Sequence, residues 1–263
     1  MKIFLFGLSL LISALCSAAQ QTITLYAYHD APPFVIDSKA GKGLNFDFFN
    51  TLKNHAPADI RFEYQFITRP ELNKRLAAGL PTIALWANPV WFKDTQQEKY
   101  LWSRALFSDK DVVIARKGSS LLYHQPSDLN GLTVGTRTGY YYAGVSELMS
   151  ENKIQRMDVS NDKANIEQLI RGDVDAIIIS KSSFFYYAKL LKVISSTAIV
   201  GQPHSSYKRH LLISRHYQAQ EQAINDILLK LSKDENWRFR LTIYGLQELW
   251  GSESQALDFT TAQ

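Results

Sequence analysis

Short apolar runs alternate with segments of helical period along most of the chain. The apolar runs are rich in β-branched and aromatic residues, which predicts strands. These strands are expected at residues 22–28, 60–66, 82–86, 111–116, 131–135, 154–159, 174–179, 193–200 and 208–214. Apolar residues that recur every three or four positions predict helices between them. These helices are expected at residues 44–54, 140–150, 163–171, 182–191, 217–233 and 236–244, with a short one before Gly79. This alternation predicts an α/β fold with mostly parallel strands.

Residues 65–108 contain the strongest local signal for a ligand site. A short amphipathic helix leads into the apolar strand at residues 82–86, and the strand ends in a polar, aromatic loop with Asn88 and Trp91. Ligands of α/β proteins bind outside the carboxyl ends of the strands. Aromatic side chains with a few polar groups are typical of pocket walls. The loop is therefore predicted to line a pocket, while Trp86, still within the strand, could instead belong to the core.

The opening of the chain has the pattern of a secretory signal peptide. Lys2 forms the charged region, residues 3–15 are apolar, and residues 17–19 are small, as at a cleavage site. The apolar run is too short to cross a bilayer. A lipoprotein would need a small residue before Cys16, where Leu15 stands. The sequence therefore predicts a soluble exported protein.

Composition narrows the chemistry further. The 263 residues carry a formal net charge of +4, and removal of the leader with Lys2 takes away one positive charge. This mild, dispersed charge does not predict nucleic-acid binding. Cys16 is the single cysteine and lies in the leader, so the exported chain has no disulfide and no thiolate chemistry. No dinucleotide, Walker, paired-cysteine or zinc-protease motif occurs, and neither a cofactor nor a metal site is predicted.

Several short motifs follow one another in a fixed order along nearly the whole exported chain. They lie at residues 28–34, 43–47, 100–106, 129–135 and 172–176. Together they resemble the periplasmic solute-binding proteins of the polar-amino-acid class (family 3). Each motif is weak alone, and their order and spacing carry the resemblance. The third motif departs from the family pattern, because Ala105 stands where proline is usual.

This resemblance implies a type II periplasmic-binding-protein fold of two lobes. Two mixed sheets flanked by helices would be joined by two hinge strands, and ligand would bind in the cleft between lobes that close on it. The implied division is a signal peptide at 1–19, lobe one at 22–115 plus 213–250, lobe two at 116–212 and a tail at 251–263. The implied location is the periplasm. The implied partners of this monomer are a small-molecule ligand and either the permease of an ABC transporter or a membrane receptor.

The residues with which such proteins bind α-amino acids are absent at the matching positions. The arginine for the carboxylate would fall within residues 94–96, which contain none, and Ser180 stands where an aspartate would bind the ammonium. The anion-binding loop of the second lobe reads Thr-Gly-Tyr-Tyr at residues 138–141. The expected ligand is therefore not an ordinary amino acid but a small polar molecule, ring-bearing or acidic. A cation held against aromatic rings is the alternative.

The predicted ligand-binding residues are those that the resemblance places in the cleft. They are His29, Asp30, Arg69, Trp86, Asn88, Trp91, Arg137, Tyr140, Tyr141 and Ser180. They would form an aromatic cleft with two arginines and one carboxylate. Structural roles are the alternative for some of them. His29 could be purely structural, Asp30 could cap the turn that follows it, and Arg69 could be a solvated residue at a helix start. At least one of residues 140–142 is expected to face the core.

The predicted function is binding without catalysis, for delivery of a solute to a membrane transporter. Two alternatives stay open. A ligand-sensing module could act on a membrane receptor in trans. Since a few relatives of this family are dehydratases, an enzyme on the same fold could use His29 and Asp30 for acid–base work. No second acid–base group is evident from the spacing, so no catalytic residue is predicted.

Overall fold

The computed structural model describes residues 20–244 and 246. The predicted signal peptide at residues 1–19 and the predicted tail at residues 251–263 lie outside the described residues. Each helix within the described part of the chain is too short or too polar to span a bilayer.

The described residues contain ten strands and seven α-helices. The strands are β1 (Gln21–Ala27), β2 (Ile60–Phe66), β3 (Ile83–Ala87), β4 (Leu101–Trp102), β5 (Phe107–Arg116), β6 (Thr133–Arg137), β7 (Gln155–Val159), β8 (Ala176–Ser180), β9 (Thr197–Ile199) and β10 (Ser205–Ile213). The helices are α1 (Leu44–His55), α2 (Arg69–Ala77), α3 (Val145–Ser150), α4 (Asp162–Arg171), α5 (Lys181–Leu190), α6 (Glu221–Lys233) and α7 (Glu235–Ile243). Short 3₁₀-helices lie at Pro89–Phe92, Pro126–Leu129, Ile194–Ser196 and Arg215–Gln220.

Most predicted elements are present with small shifts of their ends, but three are shorter than expected. The helix predicted at residues 217–233 becomes α-helical only at Glu221, after a 3₁₀-helix. The helix predicted at residues 140–150 begins only at Val145, because Gly144 before it has a φ of 76° and residues 140–142 form a loop. A β-carbon on Gly144 would lie 2.7 Å from the ring of Pro126, so this close approach needs glycine. The strand predicted at residues 193–200 is reduced to β9 by the 3₁₀-helix before it.

All ten strands belong to one curled mixed sheet, so the prediction of two separate sheets is wrong. Its main order is β2-β1-β3-β10-β5-β8-β6-β7, with β4 beside β10 and β9 beside β5. The physical reason is that β5 and β10 begin earlier than predicted and pair with each other. Residues 107–111 of β5 run antiparallel to residues 205–209 of β10, which we call the crossover pair. Their far ends then pair with β8 and with β3, so hydrogen bonding continues through the whole sheet.

The crossover pair divides the sheet into two halves with separate cores. The first half contains β1–β4, and its core includes Leu25, Phe48 and Trp237 from strand and helices. The second half contains β6–β9, and its core on one face includes Val134 and Ile178. In both halves the central strands pair parallel with their sequence neighbours, as in β1 with β2 and β6 with β7. The carboxyl ends of these parallel strands therefore meet at the crossover pair.

Candidate functional site

A cavity of about 670 Å³ lies where the strand ends of the two halves meet. This volume falls in the usual range for small-molecule sites. Eight of the ten predicted ligand-binding residues line it: His29, Asp30, Arg69, Trp91, Arg137, Tyr140, Tyr141 and Ser180. The loops after β1 and β3 and the start of α2 contribute from the first half. The ends of β6 and β8 contribute from the second half.

Trp86 does not line the cavity, so the core alternative applies to it. Its side chain is fully buried, and its indole Nε1 donates a hydrogen bond to Asn45 Oδ1 at 2.6 Å. Its ring packs against Phe48 and Phe107 at centroid distances of 4.8 and 5.3 Å. The ring of Trp86 lies in the core because every residue of β3 is buried, so an aromatic ring anywhere in this strand packs inward.

The backbone of Trp86 nevertheless reaches the site. Its φ is 59°, a left-handed conformation that is a genuine outlier for a bulky residue. The pairing of β3 with β10 shifts register at this point, between His210 and Leu212, which is the mark of a β-bulge. The Trp86 carbonyl oxygen lies 3.4 Å from Nη1 of Arg209. Trp86 therefore contributes its backbone carbonyl oxygen to the site, while its ring stays in the core.

Asn88 also lies outside the cavity and has a structural role. Its Nδ2 donates to the Lys208 carbonyl at 2.9 Å, which ties the loop to β10. Its Oδ1 accepts from the Val90 N–H at 3.0 Å and so caps the 3₁₀-helix Pro89–Phe92. This short helix presents the ring of Trp91 to the cavity, edge-on to Tyr207 with a centroid distance of 5.0 Å.

Arg69 opens α2 and is partly buried at the cavity wall. A capping box between Thr68 and Glu71 begins the helix and places Arg69 at its first position. The guanidinium Nη2 donates to the Trp91 carbonyl, and its carbon lies 4.0 Å from the centre of the Phe92 ring. Arg69 is therefore not a solvated side chain, because it holds the loop that presents Trp91.

Arg209, which was not among the predicted ligand-binding residues, is the most buried charge in the cavity lining. It is 3% exposed, and its Nη2 forms an ion pair with the fully buried Asp109 at 3.1 Å. Its guanidinium carbon lies 4.7 Å from the ring centre of Phe34 and 5.3 Å from that of Trp91. Asp111, Tyr207 and Arg209 line the cavity and Asp109 lies behind Arg209; we call these four residues, all in the crossover pair, the floor of the cavity.

His29 faces this floor in its neutral form. Its Nε2 lies 3.2 Å from Nη1 of Arg209. A guanidinium can only donate, so Nε2 accepts and the imidazole carries its proton on Nδ1. Burial, followed by the charge of Arg209, holds the pKa of His29 well below its usual value. A weaker contact of 3.4 Å from Nε2 to the Trp86 carbonyl would need the opposite tautomer, and the permanent charge of Arg209 decides between the two.

Two further carboxylates were missed. Asp111 accepts hydrogen bonds from Ser205 Oγ at 2.9 Å and from the Tyr207 hydroxyl at 3.1 Å, and burial raises its pKa. Asp162 lies 3.8 Å from Nε of Arg137; burial raises its pKa, and the charge of Arg137 opposes that rise. The lining therefore holds three arginines and three carboxylates, in place of the two and one that were expected.

The second half supplies the open side of the cavity. Tyr140 is 49% exposed and Tyr141 is 68% exposed, whereas Tyr142 is buried in the core. The guanidinium carbon of Arg137 lies 4.7 Å from the ring centre of Tyr140. We call Asp30, Tyr140 and Tyr141, which are all exposed, the rim of the cavity.

One hydrogen bond joins the two sides of the cavity directly. The Ser180 hydroxyl caps α5 by accepting from the Ser183 N–H at 3.4 Å. The Ser183 hydroxyl in turn donates to the Pro32 carbonyl at 2.8 Å. Pro32 follows β1 in the first half, while Ser183 belongs to the second half. The two halves are therefore in contact beside the cavity.

Residues 94–96 do not reach the cavity. Asp94 is 5% exposed, and its carboxylate accepts from the backbone N–H of Lys99 and Tyr100 and from Trp102 Nε1. These hydrogen bonds hold the loop after the 3₁₀-helix. The guanidinium groups of the cavity therefore come from positions other than the one where the resemblance places the carboxylate-binding arginine.

Comparison with known proteins supports the fold. No family model and no curated protein sequence matches the chain. An ancestral arginine-binding protein bound to arginine is 16% identical, with a TM-score of 0.63 over 85% of this chain and 97% of that one. The GluR0 ligand-binding core from Nostoc punctiforme, in complex with L-glutamate, is 16% identical, with a TM-score of 0.62 over 84% and 98%.

A third structural match carries an enzyme in its name. It is the ancestral amino acid-binding protein AncCDT-1, a precursor of cyclohexadienyl dehydratase, with 17% identity and a TM-score of 0.61 over 85% of this chain and 95% of that one. At these identities the matches establish the fold. The predicted resemblance to polar-amino-acid binding proteins is confirmed at that level, as a mixed α/β fold of the type II periplasmic-binding-protein kind.

Proposed function

We propose that this protein is a periplasmic solute-binding protein. It captures a small polar molecule, ring-bearing or acidic, in the cavity between the two halves and delivers it to the permease of a membrane transporter. The observation that carries the proposal is the cavity itself, where aromatic rings and three guanidinium groups converge at the strand ends of both halves. Aromatic rings offer apolar burial, and a few placed polar groups set orientation.

The two halves would act as lobes, at residues 22–115 plus 213–250 and residues 116–212. The crossover pair is the connection on which such lobes would bend. The hydrogen bond from Ser183 to Pro32 supports a closed arrangement, because it joins the two halves beside the cavity. Closure would shield the ligand from water, which strengthens every polar contact in the site.

A thermal-shift screen of small metabolites tests the proposal. A ligand that binds only the folded protein must raise the melting temperature, by an amount that grows with its concentration over the dissociation constant. We expect polar molecules with a ring or an acidic group to stabilise the protein. The control variant is Phe239→Ala, which removes an aromatic ring that is 66% exposed and does not line the cavity. Stabilisation by none of the metabolites would contradict the proposal.

Binding without turnover is part of the same proposal. A dehydratase-like enzyme is the second candidate, and two observations favour it: carboxylates with raised pKa values at Asp111 and Asp162, and the structural match to a dehydratase precursor. Against it, Asp111 is fixed by two hydroxyl donors and Asp162 lies beside Arg137. Mass spectrometry of any stabilising metabolite after incubation with the protein separates the two, since a binding protein returns it unchanged.

A further inference from the structure

Two guanidinium groups in the cavity lining each keep one buried donor without a hydrogen bond. Nε of Arg209, from the crossover pair, and Nε of Arg137, from the end of β6, have no hydrogen-bond partner among the described residues. The nearest carboxylate to Arg137 Nε, that of Asp162, stands 3.8 Å away, beyond hydrogen-bond reach. Buried N–H groups are almost always paired in folded proteins. A pair of unpartnered donors in one cavity therefore points to a missing acceptor.

Both terminal nitrogens of Arg209 already have partners in the protein. Nη2 donates to Asp109, and Nη1 lies within 3.4 Å of both His29 Nε2 and the Trp86 carbonyl. Asp109 is itself fixed by a hydrogen bond from the Ser182 hydroxyl at 2.7 Å. The guanidinium is therefore held in one orientation before any ligand arrives. Nε is the nitrogen of this guanidinium that has no acceptor among the described residues, which leaves it for an acceptor outside the protein.

The surroundings of Arg209 restrict the shape of that acceptor. Rings of Phe34, Trp91 and Tyr207 lie with their centres 4.7, 5.3 and 5.2 Å from its guanidinium carbon. A molecule whose acceptor reaches Nε must place its body beside these rings. The hydroxyl of Tyr28, also in the lining, is a further buried group without a hydrogen-bond partner among the described residues. A planar body with an oxygen-rich end fits both features.

The charges nearby disfavour a ligand with two negative charges. Arg69, Arg137 and Arg209 line the cavity together with three carboxylates, and Asp109 lies directly behind Arg209. These four carboxylates outnumber the three guanidinium groups and would repel a dianion such as a phosphate ester. A carboxylate carries one charge and offers two acceptor oxygens to a guanidinium.

Building on the proposed function, we infer that the ligand is a carboxylate attached to a planar ring, and that Arg209 is its anchor. The carboxylate accepts a hydrogen bond from Nε of Arg209, and Arg137 on the facing side supplies a second donor to the same ligand. The anchor thus lies on a strand that crosses between the halves, and not in the loop after β3 where the resemblance would place it.

Matched pairs of acid and amide test this inference directly. Calorimetry would compare benzoate with benzamide, nicotinate with nicotinamide, and indole-3-acetate with indole-3-acetamide. Each pair keeps the ring and changes the charge and one acceptor oxygen. We expect at least one acid to bind no less than tenfold more tightly than its amide, which corresponds to about 1.4 kcal/mol.

Arg209→Lys should remove most of this preference, because lysine keeps the positive charge but loses the Nε donor and the planar fork. The matched control is Arg75→Lys. Arg75 also has a buried Nε without a hydrogen-bond partner among the described residues, and its guanidinium carbon lies 4.3 Å from the ring centre of Tyr26. It does not line the cavity. Its variant should keep the full preference for the acid.

Three results would overturn the inference. One is equal affinity for acid and amide in every pair with the unaltered protein, a comparison that needs no variant. Another is a full preference for the acid in Arg209→Lys; should that variant fail to fold, the same reading applies to Arg137→Lys. The third is that none of the six compounds binds while other metabolites stabilise the protein. This last result would leave the proposed function intact, whereas the absence of any stabilising metabolite would contradict the proposed function itself.

Discussion

The side chains in the floor of the cavity are buried or hydrogen-bonded in fixed contacts, whereas the side chains of the rim are exposed. In the floor, Arg209 is 3% exposed and paired with Asp109, and Asp111 accepts two hydroxyl hydrogen bonds. At the rim, Tyr141 is 68% exposed and Asp30 is also exposed. The floor is therefore organised before a ligand arrives, and the rim can adapt to one. We expect the floor to set which charge is accepted and the rim to contribute little to affinity.

The buried ion pair between Asp109 and Arg209 gives the floor its rigidity. Asp109→Ala would leave the guanidinium of Arg209 buried without its ion-pair partner. Breaking a buried pair in this way costs about 3–5 kcal/mol. We expect a loss of that size in the free energy of unfolding, measured by chemical denaturation.

A surface ion pair is the control for this change. Glu167→Ala removes the partner of Lys163, a pair whose side chains are 39% and 48% exposed. A change within about 0.5 kcal/mol is expected there. Equal losses in the two variants would mean that the floor is no more tightly built than the surface.

Ligand affinity should depend more on Trp91, which packs on the floor, than on the rim. Trp91→Ala removes a partly buried ring that packs against Tyr207 and lies over Arg209. We expect at least tenfold weaker binding of any ligand found in the thermal-shift screen, about 1.4 kcal/mol. Calorimetry with that ligand measures it.

Tyr141→Ala is the counterpart at the rim. Since its ring is mostly in solvent, we expect less than about a threefold change in affinity, which is about 0.65 kcal/mol. If Tyr141→Ala weakened binding as much as Trp91→Ala, the rim would contribute as much to affinity as the ring that packs on the floor.

The loops of the site were predictable from the sequence, and the floor was not. Loops at strand ends are recognisable because apolar runs stop there, which is how Trp91 was found, while the family resemblance placed Arg137 in the cleft. Arg209 lies within a strand, where a charged residue usually marks the solvent face. One signal was present: Tyr207, Arg209 and Leu211 share one face of β10, since side chains alternate along a strand. An arginine in register with a buried leucine indicates a buried charge that needs a partner.

Local apolar patterns also explain why two separate sheets were predicted in place of one. Residues 107–110 and 205–207 are mostly polar, so the apolar pattern placed the start of both strands too late. Their pairing depends on backbone hydrogen bonds across the crossover pair, which no local pattern reveals. Asp162 was missed for a related reason. It is the first residue of α4, where an acidic side chain is expected for the helix dipole alone, yet it faces the cavity.

The smallest change in stability should be a difference in sign between two aspartates, one in the floor and one away from the cavity. In the floor, burial raises the pKa of Asp111 above its usual value. Away from the cavity, burial also acts to raise the pKa of Asp94, but hydrogen bonds led by the Lys99 N–H hold that pKa below its usual value. For Asp111 the charged form is therefore disfavoured by folding, and for Asp94 it is favoured.

Stability should consequently respond to pH in opposite directions at the two sites. Relative to Asp111→Asn, the unaltered protein should gain stability as the pH falls from neutral through the raised pKa of Asp111, because protonation removes a buried charge. Relative to Asp94→Asn, it should lose stability as the pH falls below the usual aspartate pKa, because the hydrogen-bonded carboxylate becomes protonated. Denaturation curves at several pH values between neutral and acid measure both differences. A common sign would show that Asp111 is as well solvated by its hydroxyl partners as Asp94 is by its backbone donors, and that the floor presents its ligand with an ordinary carboxylate.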